Sequence, residues 1–259
     1  MSENYDAYST YYDMYTNVDN YVKIIVDRMN DSLHRVCGRG FEGASVLDAA
    51  CGTGNSMISL MNYTDDVTGF DSSYGMLAKA QGKTDREGLP LSVFSANLEH
   101  FDTERKYNYI TCIYGSVNHL TSLDALISFL KCARRSLFED GAVVIDTNTK
   151  MIYEHYWKHP CVEFISKDHV LYREPIERFD ALHSIKVHSL NATGDPDIWS
   201  ALVTVMTERF YSVDDIILAS SQADLKISSI FGISSSDSLS LEPRDDLDNR
   251  FIYILTAAK

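Results

Sequence analysis

Residues Val46-Leu47-Asp48-Ala49-Ala50-Cys51-Gly52-Thr53-Gly54 join an apolar strand to a helix through a glycine loop, with an acid at the strand's end. This join points to an open parallel sheet. In such sheets, ligands bind at the carboxyl ends of the strands, where small residues let backbone amides approach closely. Gly52 and Gly54 supply that room, and Ala50 is nearly as small. The third glycine of the dinucleotide fingerprint G-x-G-x-x-G is replaced by Met57, a bulky residue where helix and strand should pack closely. A pyrophosphate is therefore a poor occupant. The loop suits a ligand without phosphate, with Asp48 placed to hold a cationic or hydroxyl group directly or through water. Asp71 ends the next strand-like run, Val67–Asp71, where an acid can accept from both hydroxyls of a ribose.

Between residues 46 and 146, apolar runs alternate with helical segments, the signature of a parallel sheet covered on both faces. Val18 to Val36 and Leu123 to Leu137 carry apolar residues at helical spacing. From Glu163 to Tyr211 the period changes to short alternating stretches, among them His183 to His188 and Val203 to Thr207, broken by the turn-like run Asn191 to Pro196. Ser212 followed by Asp215 predicts a capped helix, Arg250 to Ala257 a final strand, and the serine-rich Ser234 to Ser240 a surface loop.

Composition acts by exclusion. The formal charge is −14, from 23 basic and 37 acidic side chains, and proteins that bind nucleic acid through its phosphates usually carry the opposite sign. Excess acid agrees with a cationic amine as substrate, and solubility alone explains such surfaces as well. The amino terminus has no apolar leader-like stretch and no segment reaches membrane-spanning length, so no membrane partner and a cytoplasmic location are expected. Five cysteines without a C-x-x-C pair predict reduced thiols. His155, His159 and Cys161 lie close together, but Pro160 interrupts the run and no second cluster completes a ligand set, so no metal is expected.

Taken together, these residues resemble the class I S-adenosylmethionine-dependent methyltransferases. Their first motif, acid-x-G-x-G-x-G, reads here as Asp48 to Gly54 with Ala50 in place of the first glycine, and their ribose-binding acid corresponds to Asp71. Ser95-Ala96-Asn97-Leu98 resembles the segment that lines the adenine, with Asn97 where Asp is more frequent. Tyr107 to Tyr114 and Gly141 to Asp146 resemble the fourth and fifth strands. Asp146-Thr147-Asn148-Thr149 does not resemble the Pro-Pro-Tyr tetrapeptides of the adenine and glutamine N-methyltransferases. The resemblance implies S-adenosylmethionine as cofactor, held by Tyr12, Tyr21, Asp48, Ala50, Gly52, Gly54, Asp71, Ser72, Met76, Asn97, Leu98, Ile113 and Tyr114. The implied fold class is α/β: a Rossmann-like, seven-stranded, mostly parallel sheet with helices on both faces, plus an inserted antiparallel strand cap. The chain would divide into a helical lid (1–43), a cofactor-binding core (44–158 and 212–259) and the cap (159–211).

Methyl transfer from a sulfonium asks the protein mainly to align a nucleophile and exclude water. An ammonium has no lone pair, so amine methylation also needs a base or a pocket that favours the neutral form. His119 follows the fourth strand in Ser116-Val117-Asn118-His119-Leu120, a run similar to that of N-methyltransferases acting on amino sugars in antibiotic biosynthesis, whose histidine is the proposed base. A histidine that only shapes the cofactor pocket is the alternative. Five tyrosines stand between Tyr5 and Tyr15. The resemblance makes Tyr12-Asp13 the start of a lid, gives Tyr12 a catalytic place beside His119, and sets Tyr5, Tyr8, His119 and Asn148 against the substrate. A tyrosine-rich helix packed on the sheet is the plainer account of Tyr8, Tyr11 and Tyr15. The cap, with Trp157, Trp199, Tyr172 and Phe179, would form an apolar pocket or, as the resemblance suggests, a homodimer or higher homo-oligomer. The expected function is methyl transfer to the amine nitrogen of a small molecule. O-methylation, α-amino methylation of a peptide and non-catalytic cofactor binding remain as alternatives.

Overall fold

β1 (Val46–Ala49) is buried at every residue, as a strand covered on both faces must be. It pairs in parallel with β2 (Val67–Asp71) on one side and β4 (Tyr107–Cys112) on the other. β3 (Ser92–Ser95) extends the sheet beyond β2, and β5 (Leu137–Asn148) beyond β4, again in parallel. The computed structural model describes residues 2–15, 18–88, 92–195, 197–234, 239–240, 243–245 and 247–258. Past β5 lies β12 (Asp248–Ala257), antiparallel both to β5 and to β10 (Leu225–Ser234). These seven strands are the mixed sheet expected from the sequence, with β12 the one reversed strand among them. The expected surface loop is corrected in part: Ser234 belongs to β10, and β11 (Leu239–Ser240) adds a two-residue antiparallel edge to it, reached by backbone pairing that needs no hydrophobic signature.

Helices cover both faces. α2 (Val18–Cys37) buries Val22, Ile25, Val26, Met29 and Leu33 in a cluster with Val46, Val144 and Ile254. α5 (Leu123–Ser136) and α7 (Val213–Ser221) pack on the other face, Leu126, Phe129 and Ile216 meeting Leu47, Ile110 and Val143. Ser212 caps α7 in a reciprocal box with Asp215, as its spacing predicts. α3 (Asn55–Leu60) and α4 (Tyr74–Glu87) follow β1 and β2. None of the described helices is long and apolar enough to cross a membrane. All five cysteines are free.

The inserted segment forms a separate four-stranded antiparallel meander: β6 (Cys161–Ser166), β7 (His169–Phe179), β8 (Leu182–Ala192) and β9 (Trp199–Arg209). Its inner face packs Leu171, Ile185 and Val187 against Tyr8 of α1 (Ser2–Tyr15) and against Tyr153 and Trp157, on and just after α6 (Lys150–His155). The two tryptophans therefore part company: Trp157 is buried under the cap, whereas Trp199 is exposed with Val203 and Val205, its alternate neighbours along β9. Tyr172 sits beside His188, with ring centroids 5.3 Å apart. The Phe179 side chain lies outside the described residues.

Candidate active site

A cavity of about 490 Å³ opens at the carboxyl ends of β1, β2 and β4, with α1, α6 and the inserted sheet completing its walls. The core contributes Ala50, Gly52, Phe70, Asp71, Ser72, Met76, Asn97, Leu98 and Tyr114 to the lining. Gly52 turns through the left-handed region (φ +55), and a Cβ there would meet nothing within 4 Å, so the space beside its backbone is open to a ligand. Ala50 also has a positive φ, of 56°. The first glycine of the motif is thus replaced by a residue that is small enough but carries conformational strain.

The two acids of the motif have separate places. Asp71 lines the cavity, its carboxylate accepting from the Gly52 amide at 3.0 Å and the Ser73 amide at 2.9 Å. Burial pushes its pKa up, opposed by those amide hydrogen bonds. Asp48 is not among the cavity-lining residues. It is fully buried behind the loop, accepting from Thr111 at 2.7 Å and from the Ser56 hydroxyl, and so ties β4 and α3 to the end of β1. Burial raises its pKa to about 6 against those two hydrogen bonds. Gly54 likewise stands back, capping α3 where a Cβ would press on Ala80 at 3.0 Å. Ile113 lines a recess of about 50 Å³ with Tyr12, Ala50 and Tyr114. Tyr21 lies on α2, and its side chain is outside the described residues.

α1 crosses the cavity with Tyr5, Tyr8 and Tyr12 on one face, the i, i+3, i+7 spacing that stacks side chains along a helix. Their rings meet edge to face, Tyr5 to Tyr8 at 6.3 Å and Tyr8 to Tyr12 at 5.9 Å. Tyr11 points elsewhere, its ring 6.1 Å from His169. Two acids fasten the helix. Asp6 accepts from the Ser73 hydroxyl at 2.6 Å and the Gly75 amide at 2.8 Å, and both contacts hold its pKa below the usual range. Asp13 accepts from Thr53 at 2.7 Å and pairs with Lys83 at 2.8 Å. Partial burial would raise its pKa, but the hydrogen bonds from Lys83 and Thr53 outweigh that and lower it.

At the far side of this tyrosine face, the 3-10 turn Ser116–His119 after β4 delivers His119. Its Nε2 is 2.8 Å from the Tyr5 hydroxyl, and its Nδ1 is 3.4 Å from the Thr207 carbonyl. The Thr207 carbonyl can only accept, so Nδ1 carries the imidazole hydrogen, Nε2 accepts, and Tyr5 is the donor to it. Asn118 fixes the turn, donating to the Arg209 carbonyl at 2.8 Å and accepting from the Asn148 amide at 2.9 Å. Asn148 lines the cavity as expected. Trp157, offered by the sequence as part of an apolar pocket, lines the cavity, and the structure adds wall residues that the sequence reading missed: Arg173, Met206 and Glu208 from the cap, Ile152 and Tyr156 from the α6 region, and Asn249 and Arg250 from β12. One signal for the cap residues was available, since Thr204, Met206 and Glu208 alternate with the exposed Val203 and Val205 along β9. Arg250 stacks over Tyr114 at 4.8 Å and pairs with Asp146 at 2.9 Å. His155 ends α6, and no group of three potential metal ligands forms among the described residues.

Residues 46–141 match a family model described as a methyltransferase domain. Residues 46–141 are thus a methyltransferase domain by sequence. This methyltransferase domain is 30% identical over 105 residues to the dTDP-3-amino-3,6-dideoxy-alpha-D-glucopyranose N,N-dimethyltransferase of Streptomyces fradiae, a match covering 40% of each chain. The chain spans about half or less of the length of the curated relatives it matches. In fold, the chain superposes on an S-adenosylmethionine-dependent methyltransferase from Clostridium acetobutylicum with a TM-score of 0.82 at 21% identity, over 98% of this chain and 99% of that one. An amino pentose methyltransferase from Micromonospora echinaspora, solved with S-adenosylmethionine bound, gives a TM-score of 0.70 at 16% identity over 96% of both chains. The cavity suits the cofactor. Asp71 offers acceptors where a ribose would lie, Phe70, Met76 and Leu98 offer apolar wall for a base, and the space at Gly52 is free of side chain.

Proposed function

We propose that the protein transfers the methyl group of S-adenosylmethionine to the amine nitrogen of a small molecule of the amino-sugar type, with His119 as the base. The observation that carries this reading is the Tyr5–His119 hydrogen bond, 2.8 Å long, in the wall of the cavity that Gly52 and Asp71 also line. When bound, the cofactor supplies a methyl group activated on a sulfonium. The chain's residues do the rest. Asp71 and the Gly52 loop hold the nucleoside, and Tyr8 and Tyr12 give an aromatic surface that attracts cations, with contacts worth about 0.5 to 2 kcal/mol. His119 takes the proton that an ammonium must lose before its nitrogen can attack, by relay: the Tyr5 hydroxyl passes its hydrogen to Nε2 as its oxygen accepts one from the ammonium. The names of the Streptomyces fradiae and Micromonospora echinaspora proteins, both aminosugar methyltransferases, support the amine over a hydroxyl acceptor. Specialised metabolism of the antibiotic kind is the setting this reading favours.

The test is a mass-spectrometric screen of the purified protein with S-adenosylmethionine against amino sugars, short peptides and phenols, following the gain of one methylene. Gain on amino sugars, lost in Gly52→Arg, is the expected result. Gain on phenols or peptides alone would move the protein to O- or α-amino methylation. Tight cofactor binding with no gain on any acceptor would point to a binding role.

A further inference from the structure

The inserted sheet brings a carboxylate into the cavity wall: Glu208, near the end of β9. Its side chain is only 9% exposed, and an acid in such a place needs partners to stay. One of its oxygens has them. Oε2 accepts from the Asn148 amide at 2.8 Å and from the Tyr153 hydroxyl at 2.9 Å. Oε1 is 3.7 Å from His119 Nε2, beyond direct hydrogen bonding but beside the Tyr5–His119 pair. The two guanidinium groups in the cavity wall are committed elsewhere, Arg173 to Glu163 and Arg250 to Asp146. Among the described residues no lysine or arginine pairs with Glu208. Two neutral donors therefore orient this carboxylate, and its second oxygen stands next to the base.

We infer that Glu208 is the anchor for the positively charged nitrogen of the substrate, which enters the site as an ammonium. This rests on the reading of the site as an amine methyltransferase. A cation against Oε1 forms a charge-assisted hydrogen bond, roughly twice as strong as a neutral one. It also sits beside the hydroxyl and imidazole that relieve it of a proton. The acid thus selects amines in the form that predominates in water and rejects neutral isosteres. Asn148 and Tyr153 act through Glu208 as positioning residues, which gives the sequence-predicted Asn148 an indirect place in recognition.

Calorimetry on protein saturated with S-adenosylhomocysteine tests this, with glucosamine as the cationic probe and N-acetylglucosamine as its neutral counterpart. The wild type should bind glucosamine and discriminate against N-acetylglucosamine. Glu208→Gln should weaken glucosamine binding roughly 10- to 100-fold, and the loss in turnover of a methylated amine should fall on KM rather than kcat. Affinity for S-adenosylmethionine should stay unchanged. Tyr153→Phe, which removes only a hydroxyl, should show the same pattern more weakly, and Glu208→Asp should restore part of the affinity. Unchanged glucosamine binding in Glu208→Gln, a loss confined to kcat, or equal binding of both sugars would overturn the assignment. If no amine is methylated while glucosamine binding still depends on Glu208, the reaction reading fails and the anchor stands. If Glu208→Gln methylates amines with wild-type KM, the anchor fails and the reaction stands.

Discussion

At Ala50 the chain places an ordinary residue where its backbone needs a left-handed turn, φ 56°. That conformation costs an L-residue about 1 kcal/mol or more, so Ala50→Gly should raise stability by roughly 0.5–1 kcal/mol, read as a higher denaturation midpoint at constant m-value. Asp48 makes a second test. Its buried carboxyl has a pKa near 6, so it holds a proton in the folded state at pH values where the unfolded chain, titrating near 3.9, has lost it. The folded state is favoured below the unfolded value, and that advantage drains away as pH rises from about 4 to about 6, by on the order of 3 kcal/mol. Asp48→Asn should abolish the drain. Equal slopes of melting temperature against pH in the two proteins would discard it. His119→Ala should lower kcat by roughly 100-fold if the imidazole is the base, with cofactor affinity kept, whereas wild-type turnover would reduce it to a wall. Sequence legibility at this scale follows the chain: Asp71 can be named because it ends a strand, and Gly52 and His119 because they lie in the short connections after strands. Asp48 could be seen but not placed, because only the fold shows that Ser56 and Thr111 use its oxygens.

At the scale of elements, α1 shows what a helix can do when its contacts are specific. Asp6 and Asp13 bolt it to the start of α4 and to the loop after β1. Both carboxyls have lowered pKa values, so their contribution is present above the unfolded value near 3.9 and is lost as pH falls through the lower folded values. Acidification should therefore loosen α1, and the Asp6→Asn, Asp13→Asn protein should lose that acid sensitivity in cofactor affinity. Packing is as tight as the bonding, since a Cβ on Gly75 would lie 2.8 Å from the Asp6 carbonyl oxygen and 3.0 Å from its Cα. Gly75→Ala must displace α1, and should weaken S-adenosylmethionine binding while far-ultraviolet circular dichroism stays that of the wild type. The tyrosine face of α1 and the apolar stripe of α2 are periodic, hence readable. The Asp6 contacts are not, because their partners lie 67 and 69 residues away. β11 is invisible for a different reason: two residues paired through their backbone leave no pattern in side chains.

For the whole molecule, a mostly parallel sheet covered on both faces could be anticipated because strands and helices alternate between residues 46 and 146. How the inserted sheet leans on the core could not, since that depends on contacts such as Tyr211, whose hydroxyl donates to the Leu120 carbonyl and, at 2.9 Å, to that of Ser122. A ligand that joins the Gly52 loop, α1 and β2 should stabilise the fold by mass action. At a concentration 100 times its Kd, S-adenosylmethionine should add about 2.7 kcal/mol, raising Tm by roughly 5–10 °C for a chain of this size. An unchanged Tm at saturating cofactor would deny that the site belongs to the native state. The same arrangement bears on how such a protein changes over time. Cavity-lining residues such as Gly52 and Asp71 come from the strand ends of the core, and Arg173, Met206 and Glu208 from an excursion that leaves after α6 and returns before α7. On the proposed reading, mutation can rewrite the excursion, and with it the choice of acceptor, while the machinery for the donor is inherited intact.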